Sequence, residues 1–310
     1  MFATLLGGLP EPPLGAGATP SLRLEAMVRA QEATGLDPIT DGGSPAADDR
    51  AVGELAARWA ATQRLTDRLV KATVLGPVSR ARGATAGQDP ARRSAATLDH
   101  AETLHDLLRT LAGEGCLMVE IHEPAAVAIG DDAAEQALFR EASLRLLDGI
   151  DGVHVSLAVT GGSADVAGAA TLLAAPFASL AVDLIAGPDN WRLVVDVPGD
   201  RGIVCGALPA AAGSDDGPET LLWAAGYAAS TGGRGMDRVG LATSASLSHL
   251  SWTVAVRKLE RLGEASRLGL GSVDERAAAV DPRAVSNRSA ALGRVERGGA
   301  SRARRNRPPT

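Results

Sequence analysis

Residues 115–125 read Gly-Cys-Leu-Met-Val-Glu-Ile-His-Glu-Pro-Ala. The run Leu117–Ile121 follows a glycine and ends at His122-Glu123-Pro124. A short run that is largely apolar along its length marks a parallel strand covered on both faces. Proline cannot donate to a strand ladder, so Pro124 ends the strand. Similar runs recur at Ala3–Leu6, Pro38–Thr40, Ala72–Leu75, His154–Val159, Leu180–Ile185, Ile203–Ala207 and Val239–Ala242. Arg192–Val197 is a ninth candidate, either an extra strand or the end of a helix-to-strand connection.

Helical patterns lie between these runs. Leu22–Thr34 stops at Gly35, a residue suited to the position just past a helix. Asp49–Val70, Ser94–Ala112, Asp131–Leu147, Glu219–Ala229 and Ser251–Leu268 follow. Repeated β-α order with about eight strands predicts an α/β fold. The expectation is a single (β/α)8 TIM barrel over residues 1–270, with an open doubly wound sheet as the alternative. A chain of 310 residues fits one such barrel.

The net charge of −6 is unevenly spread. Residues 281–310 carry eight Arg against Asp281 and Glu296, a net +6, so residues 1–280 carry −12. Residues 271–310 are therefore expected to form a disordered basic tail, too poor in large apolar side chains to offset ordering. Arg302-Ala303-Arg304-Arg305-Asn306-Arg307 could touch nucleic acid or an acidic partner, although a solubilising tail without a partner is the simpler reading. An acidic body repels phosphate backbones, and aromatics make up only 3%, which argues against nucleic acid. Two cysteines, Cys116 and Cys205, exclude a disulfide scaffold. No apolar run reaches the ~18 residues of a membrane span, and the N-terminus lacks a basic leader, so a cytoplasmic protein is expected.

In a barrel of this kind the site lies at the carboxyl ends of the strands. Those ends carry Gly7-Gly8, Asp41-Gly42-Gly43, Gly76-Pro77, His122-Glu123-Pro124, 158–162, Asp183, Cys205-Gly206 and 243–247. Several resemble one family. Leu6-Gly7-Gly8-Leu9-Pro10 resembles the opening "IGS-hydrophobic-P" of the catalytic barrel of cobalamin-independent methionine synthase. Gly35-Leu36-Asp37-Pro38-Ile39-Thr40-Asp41-Gly42-Gly43 resembles its "GLDvitdGE", and Leu75-Gly76-Pro77-Val78-Ser79 its "GPvt" turn. Val119-Glu120-Ile121-His122-Glu123-Pro124-Ala125 resembles "vQiDEPa". Residues 155–162 and 241–247 fall where "LHlCyG" and "sPdCGL" are expected. The matches keep their order over residues 2–268. The resemblance implies the barrel shared with uroporphyrinogen decarboxylase, and an enzyme that uses zinc to transfer a methyl group to a thiol, often from a folate.

The departures bear on the chemistry. By the resemblance, the zinc positions read Ala158, Thr160, Asp183 and Ala245, and the positions that hold the amino acid read Gly8, Gly43 and His122. Alanine has no donor atom and Thr is a poor zinc ligand. A free thiol is only a few per cent ionised at pH 7, so a site without metal should not methylate homocysteine. The expectation is a divergent methyltransferase-like protein with no zinc, a folate donor remaining open, acting on another small-molecule substrate. A non-catalytic relative that binds a metabolite or protein is the alternative. His122 and Glu123 are the expected catalytic pair, as acid–base or substrate-binding groups. Glu123 tied to backbone amides or an Arg is the structural alternative. Asp41, Thr160, Asp183 and Ser244 are the expected substrate-binding groups. A His122–Asp183–Cys205 metal set is a further alternative, against which Cys205 reads as a small buried hydrophobe. Thr160-Gly161-Gly162-Ser163 could offer amides to an anion or be an ordinary turn. Arg80 and Arg82 could meet an anionic substrate or be solvated. Ser246 is expected to cap a helix beginning near Leu247 or later.

Overall fold

The computed structural model describes residues 1–87, 89–213 and 217–271. The expected tail at 271–310 lies outside them except for Gly271. Seven strands form one parallel, curled sheet: β1 (Phe2–Thr4), β2 (Lys71–Leu75), β3 (Met118–His122), β4 (His154–Val159), β5 (Ser179–Asp183), β6 (Gly202–Leu208) and β7 (Val239–Thr243). Their order is β1-β7-β6-β5-β4-β3-β2, so each strand from β2 to β7 lies beside its successor and the first pairs with the last. This singly wound order excludes the doubly wound alternative, whose strand order reverses at a switch point.

The helices among the described residues are α1 (Pro20–Thr34), α2 (Asp49–Gln63), α3 (Pro77–Ala84), α4 (Pro90–Gly113), α5 (Ala133–Leu147), α6 (Ala169–Leu172), α7 (Trp191–Asp196), α8 (Pro218–Ser230) and α9 (Trp252–Gly269). The end of α1 follows the expectation: Gly35 has φ 84°, where a side chain would be strained, and its N–H reaches the Gln31 and Glu32 carbonyls. Asp48 caps α2 by accepting from the Ala51 N–H, and Asp132 caps α5.

Three expectations are corrected. The expected strand Pro38–Thr40 forms only isolated bridges. Pro38 has no N–H to give a ladder, and the side chain of Gln31 takes over the polar groups of Thr40, with Nε2 donating to its carbonyl at 2.8 Å and Oε1 accepting from its N–H at 2.9 Å. The segment nevertheless links the two edge strands. Asp37 N–H donates to the Ala3 carbonyl at 3.0 Å, and Lys71 N–H donates to the Ile39 carbonyl at 2.9 Å. Second, the extra-strand reading of Arg192–Val197 gives way to its alternative, the end of a helix-to-strand connection, since the run lies in α7 and the turn after it, ahead of β6. Third, Ser246 caps no helix, because α9 begins at Trp252; its hydroxyl instead exchanges hydrogen bonds with the backbone of Gly8, both at 3.1 Å.

Two layers of apolar packing result. Most core residues lie between sheet and helices, among them Leu104, Leu108, Ile121, Phe139, Leu157, Leu180 and Leu259. A smaller cluster, Leu6, Ala158, Ala181, Val204 and Ala242 with Phe2 against it, is separate from the first. Gly240 makes room for it: a Cβ there would sit 2.5 Å from the Phe2 ring.

Candidate active site

Glu120 and His122 are two residues apart on β3, so their side chains project from the same face. Lys71 opens β2, the neighbouring strand. The three side chains form a hydrogen-bonded chain: Lys71 Nζ donates to Glu120 Oε2 at 2.8 Å, and His122 Nε2 meets Glu120 Oε1 at 2.8 Å. The Lys71 and Glu120 side chains are fully buried, and that of His122 is 6% exposed. Burial alone would raise the Glu120 carboxyl, but Lys71 and His122 outweigh it and hold it at about 2. Burial lowers Lys71, against the pull of Glu120. The carboxylate fixes the His122 ring through one nitrogen. His122 Nδ1 bonds to no other described residue.

Glu123, the next residue, faces another way. Its Oε1 accepts from Val78 N–H at 2.9 Å, and its Oε2 accepts from Ser79 N–H at 2.8 Å and Ser79 Oγ at 2.6 Å. These donors are the first-turn amides of α3, left unpaired by the helix itself. Glu123 therefore ties β3 to α3 in the manner of a cap. Burial pushes its carboxyl up to about 7, against the bonds from Ser79 and Val78. Gly76 is required here, since a Cβ at that position would overlap the Glu123 carboxylate.

Asp183, Asp41 and Ser244 are also engaged with backbone. Asp183 Oδ1 accepts from Ile185 and Ala186 N–H at 2.9 and 2.8 Å, and Oδ2 accepts from Gly161 N–H at 3.1 Å. It thereby joins the turns after β4 and β5. Asp41 Oδ1 accepts from Gly43 N–H at 2.9 Å, and its Oδ2 is paired with Arg58. Ser244 Oγ accepts from Ala210 N–H at 3.2 Å. Thr160 is half-buried just past β4. Arg80 and Arg82 pair with Asp49 and Glu135, at 2.5 and 2.9 Å.

Among the described residues, no group of three His, Cys, Asp or Glu side chains is placed to hold a metal ion, so His122, Asp183 and Cys205 do not converge. Cys205 Sγ points to the Ala224 carbonyl of α8 at 3.8 Å, and burial pushes its thiol up to about 12. Lys71 and Glu120 were not singled out from the sequence. The signal was present, because a charged residue two positions before His122 inside an apolar strand must share its face.

No family model matches the chain. Its sequence is 30% identical over 208 residues to the 5-methyltetrahydropteroyltriglutamate–homocysteine methyltransferase of Nitrobacter winogradskyi, a match over 60% of this chain and 25% of that protein. The matched part is thus about a quarter of that curated relative's length. The fold is similar to that of a B12-independent methionine synthase from Shewanella sp. W3-18-1, solved with selenomethionine, with TM-score 0.66 and 15% identity over 86% of this chain and 96% of that one. It is also similar to a putative vitamin-B12-independent methionine synthase from Listeria monocytogenes, with TM-score 0.64 and 11% identity over 88% and 98%. The sequence match and the order of the motifs both show a likeness to the cobalamin-independent methionine synthases, and the solved structures share the chain's fold.

Proposed function

We propose that this chain is a divergent methionine synthase-like methyltransferase that has exchanged zinc-activated thiol chemistry for a site centred on His122 and acts on a different small organic molecule. The observation that carries this reading is the Lys71–Glu120–His122 chain. A histidine held by a buried carboxylate has a defined ring orientation and leaves its other nitrogen to bind a substrate proton or lone pair. Zinc does not fit the residues at the family's metal positions. Ala158 and Ala245 have no donor atom, and the carboxylate of Asp183 already accepts three backbone N–H bonds. No step is therefore routed through a metal. The segment 37–46 stands in this reading as an irregular eighth stave that completes a (β/α)8 barrel, supported by its bonds to β1 and β2. In this reading Glu123, Asp183, Asp41 and Ser244 hold the strand-end turns through their backbone bonds, and Thr160 is a substrate-binding group. Two buried free thiols accord with a cytoplasmic setting.

The test uses purified full chain. Bound zinc is measured by mass spectrometry of the metal, and methyl transfer from 5-methyltetrahydrofolate to homocysteine is assayed. The expected result is zinc well below one per chain and no transfer. One tightly held zinc per chain together with homocysteine methylation overturns the proposal. A screen of small thiols, amines and folates by thermal shift then distinguishes enzyme from binder. A ligand whose stabilisation is lost in His122→Ala supports the site, and turnover of that ligand separates catalysis from binding alone.

A further inference from the structure

Aromatic side chains are scarce in this chain, eight in 310 residues, yet three of them meet at one place on the surface. Trp191 opens α7, and Trp223 and Tyr227 lie one turn apart on α8. The Trp223 and Tyr227 rings are stacked, within 19° of parallel with centroids at 5.7 Å. Trp191 stands almost upright to both, at 69° and 88°, with centroids at 5.1 and 5.2 Å. The three rings make a two-sided corner. It is open, since Trp223 is 48% and Tyr227 37% exposed. Leaving two large rings in water on a monomer's surface is costly unless something covers them. Such a corner suits a flat cation, which can lie on one ring face and meet the edge of another.

We propose that the occupant is the arginine-rich segment 302–307 of this same chain, Arg-Ala-Arg-Arg-Asn-Arg, seated by its guanidinium groups on the Trp191–Trp223–Tyr227 corner. Three observations on the chain support this. The described chain ends at Gly271, and the last turn of α9 rests on α8, where a Cβ at Gly269 would lie 3.3 Å from Leu222, the neighbour of Trp223. The chain therefore leaves the body beside the helix that carries two of the rings. The reach suffices, because about 30 residues of flexible chain span roughly 30 Å on average. The charges are complementary: residues 1–280 carry −12 and residues 281–310 carry +6, and Asp196 and Glu219 lie near the rings in sequence. Each guanidinium–ring contact is weak, but a tethered segment is present at an effective concentration near the millimolar range, so weak contacts are enough for substantial occupancy.

The test reads tryptophan accessibility in the full-length protein. Acrylamide quenching is compared between the natural chain and one with Arg302, Arg304, Arg305 and Arg307 all changed to Ala. The expected result is quenching increased by about 1.5- to 2-fold in the variant, at all protein concentrations from roughly 0.1 to 10 μM, since a tethered contact does not depend on concentration. In a Trp223→Ala background the arginine changes should make no difference, and tryptic cleavage after Arg294 and Arg297 should be faster than in the natural chain, by about 3-fold or more, because an exposed segment is cut in proportion to its open population. Trp223 is half exposed, so its loss leaves the fold intact, and circular dichroism checks this. Equal quenching in the natural and four-alanine chains overturns the proposal. So does a difference that appears only as concentration rises, which would assign the corner to a second copy.

Discussion

Lys71 and Glu120 face each other with no exposed side-chain surface, and His122 leans on the same carboxylate. Removing one member of such a pair strands the other charge. Lys71→Met should therefore destabilise the fold by about 3–5 kcal/mol, read from urea denaturation. Adding Glu120→Gln to that variant should restore part of the loss, since the carboxamide still accepts from His122 without a charge to bury. The two glutamates of β3 also set opposite pH dependences. Glu120, at about 2 in the folded state against an ordinary 4.5, contributes stability that is present above pH 4.5 and lost as the pH falls through 2. Glu123, raised to about 7, holds its proton more tightly when folded. Its contribution is complete below pH 4.5 and fades as the pH rises through 7. Urea midpoints at pH 5 and pH 8 should accordingly differ more in the natural chain than in Glu123→Gln. An unchanged difference would show that Glu123 is not the titrating group.

The junctions between elements depend on a few close contacts. Glu123 supplies α3 with the acceptors that its first turn lacks, so Glu123→Ala should cost about 1–2 kcal/mol in denaturation. Gly240 on β7 gives its space to the Phe2 ring. Gly240→Ala should cost about 1–3 kcal/mol by overpacking, and Phe2→Leu in the same chain should recover much of it. At this scale the sequence was readable where periodicity was long. The helices around Gly35 and Ser94–Ala112 follow their apolar spacing, and the strand ahead of His122 ends at its proline. Short segments were ambiguous for a physical reason. Leu193-Val194-Val195 fits a strand and one helical turn equally well, and the neighbouring Trp191, packed on Trp223, resolves it as a turn. Pro38–Thr40 looked like a strand because Ile39 and Thr40 favour one, yet its polar groups are satisfied by Gln31, a partner no local pattern reveals.

Across the molecule, the sheet places the strand ends in one rim, which is why motifs far apart in sequence could be read as one site. The order and position of those motifs were legible. What each side chain does was less so. Glu123 was read both as a catalytic group and as a tether to amides, and only the neighbouring helix shows which donors surround it. Lys71 stands before an apolar run and gains its meaning from a glutamate 49 positions away.

The pairing of β1 with β7 has a consequence for how the chain is made. Phe2–Thr4 leave the ribosome long before their ladder partners, Gly240–Ala242. During most of synthesis the opening strand has only the backbone around Asp37 to hold it. That pairing must wait for β7 to emerge, so a nascent chain stalled before Val239 would carry β1 without its ladder partner, open to chaperones or to other nascent chains.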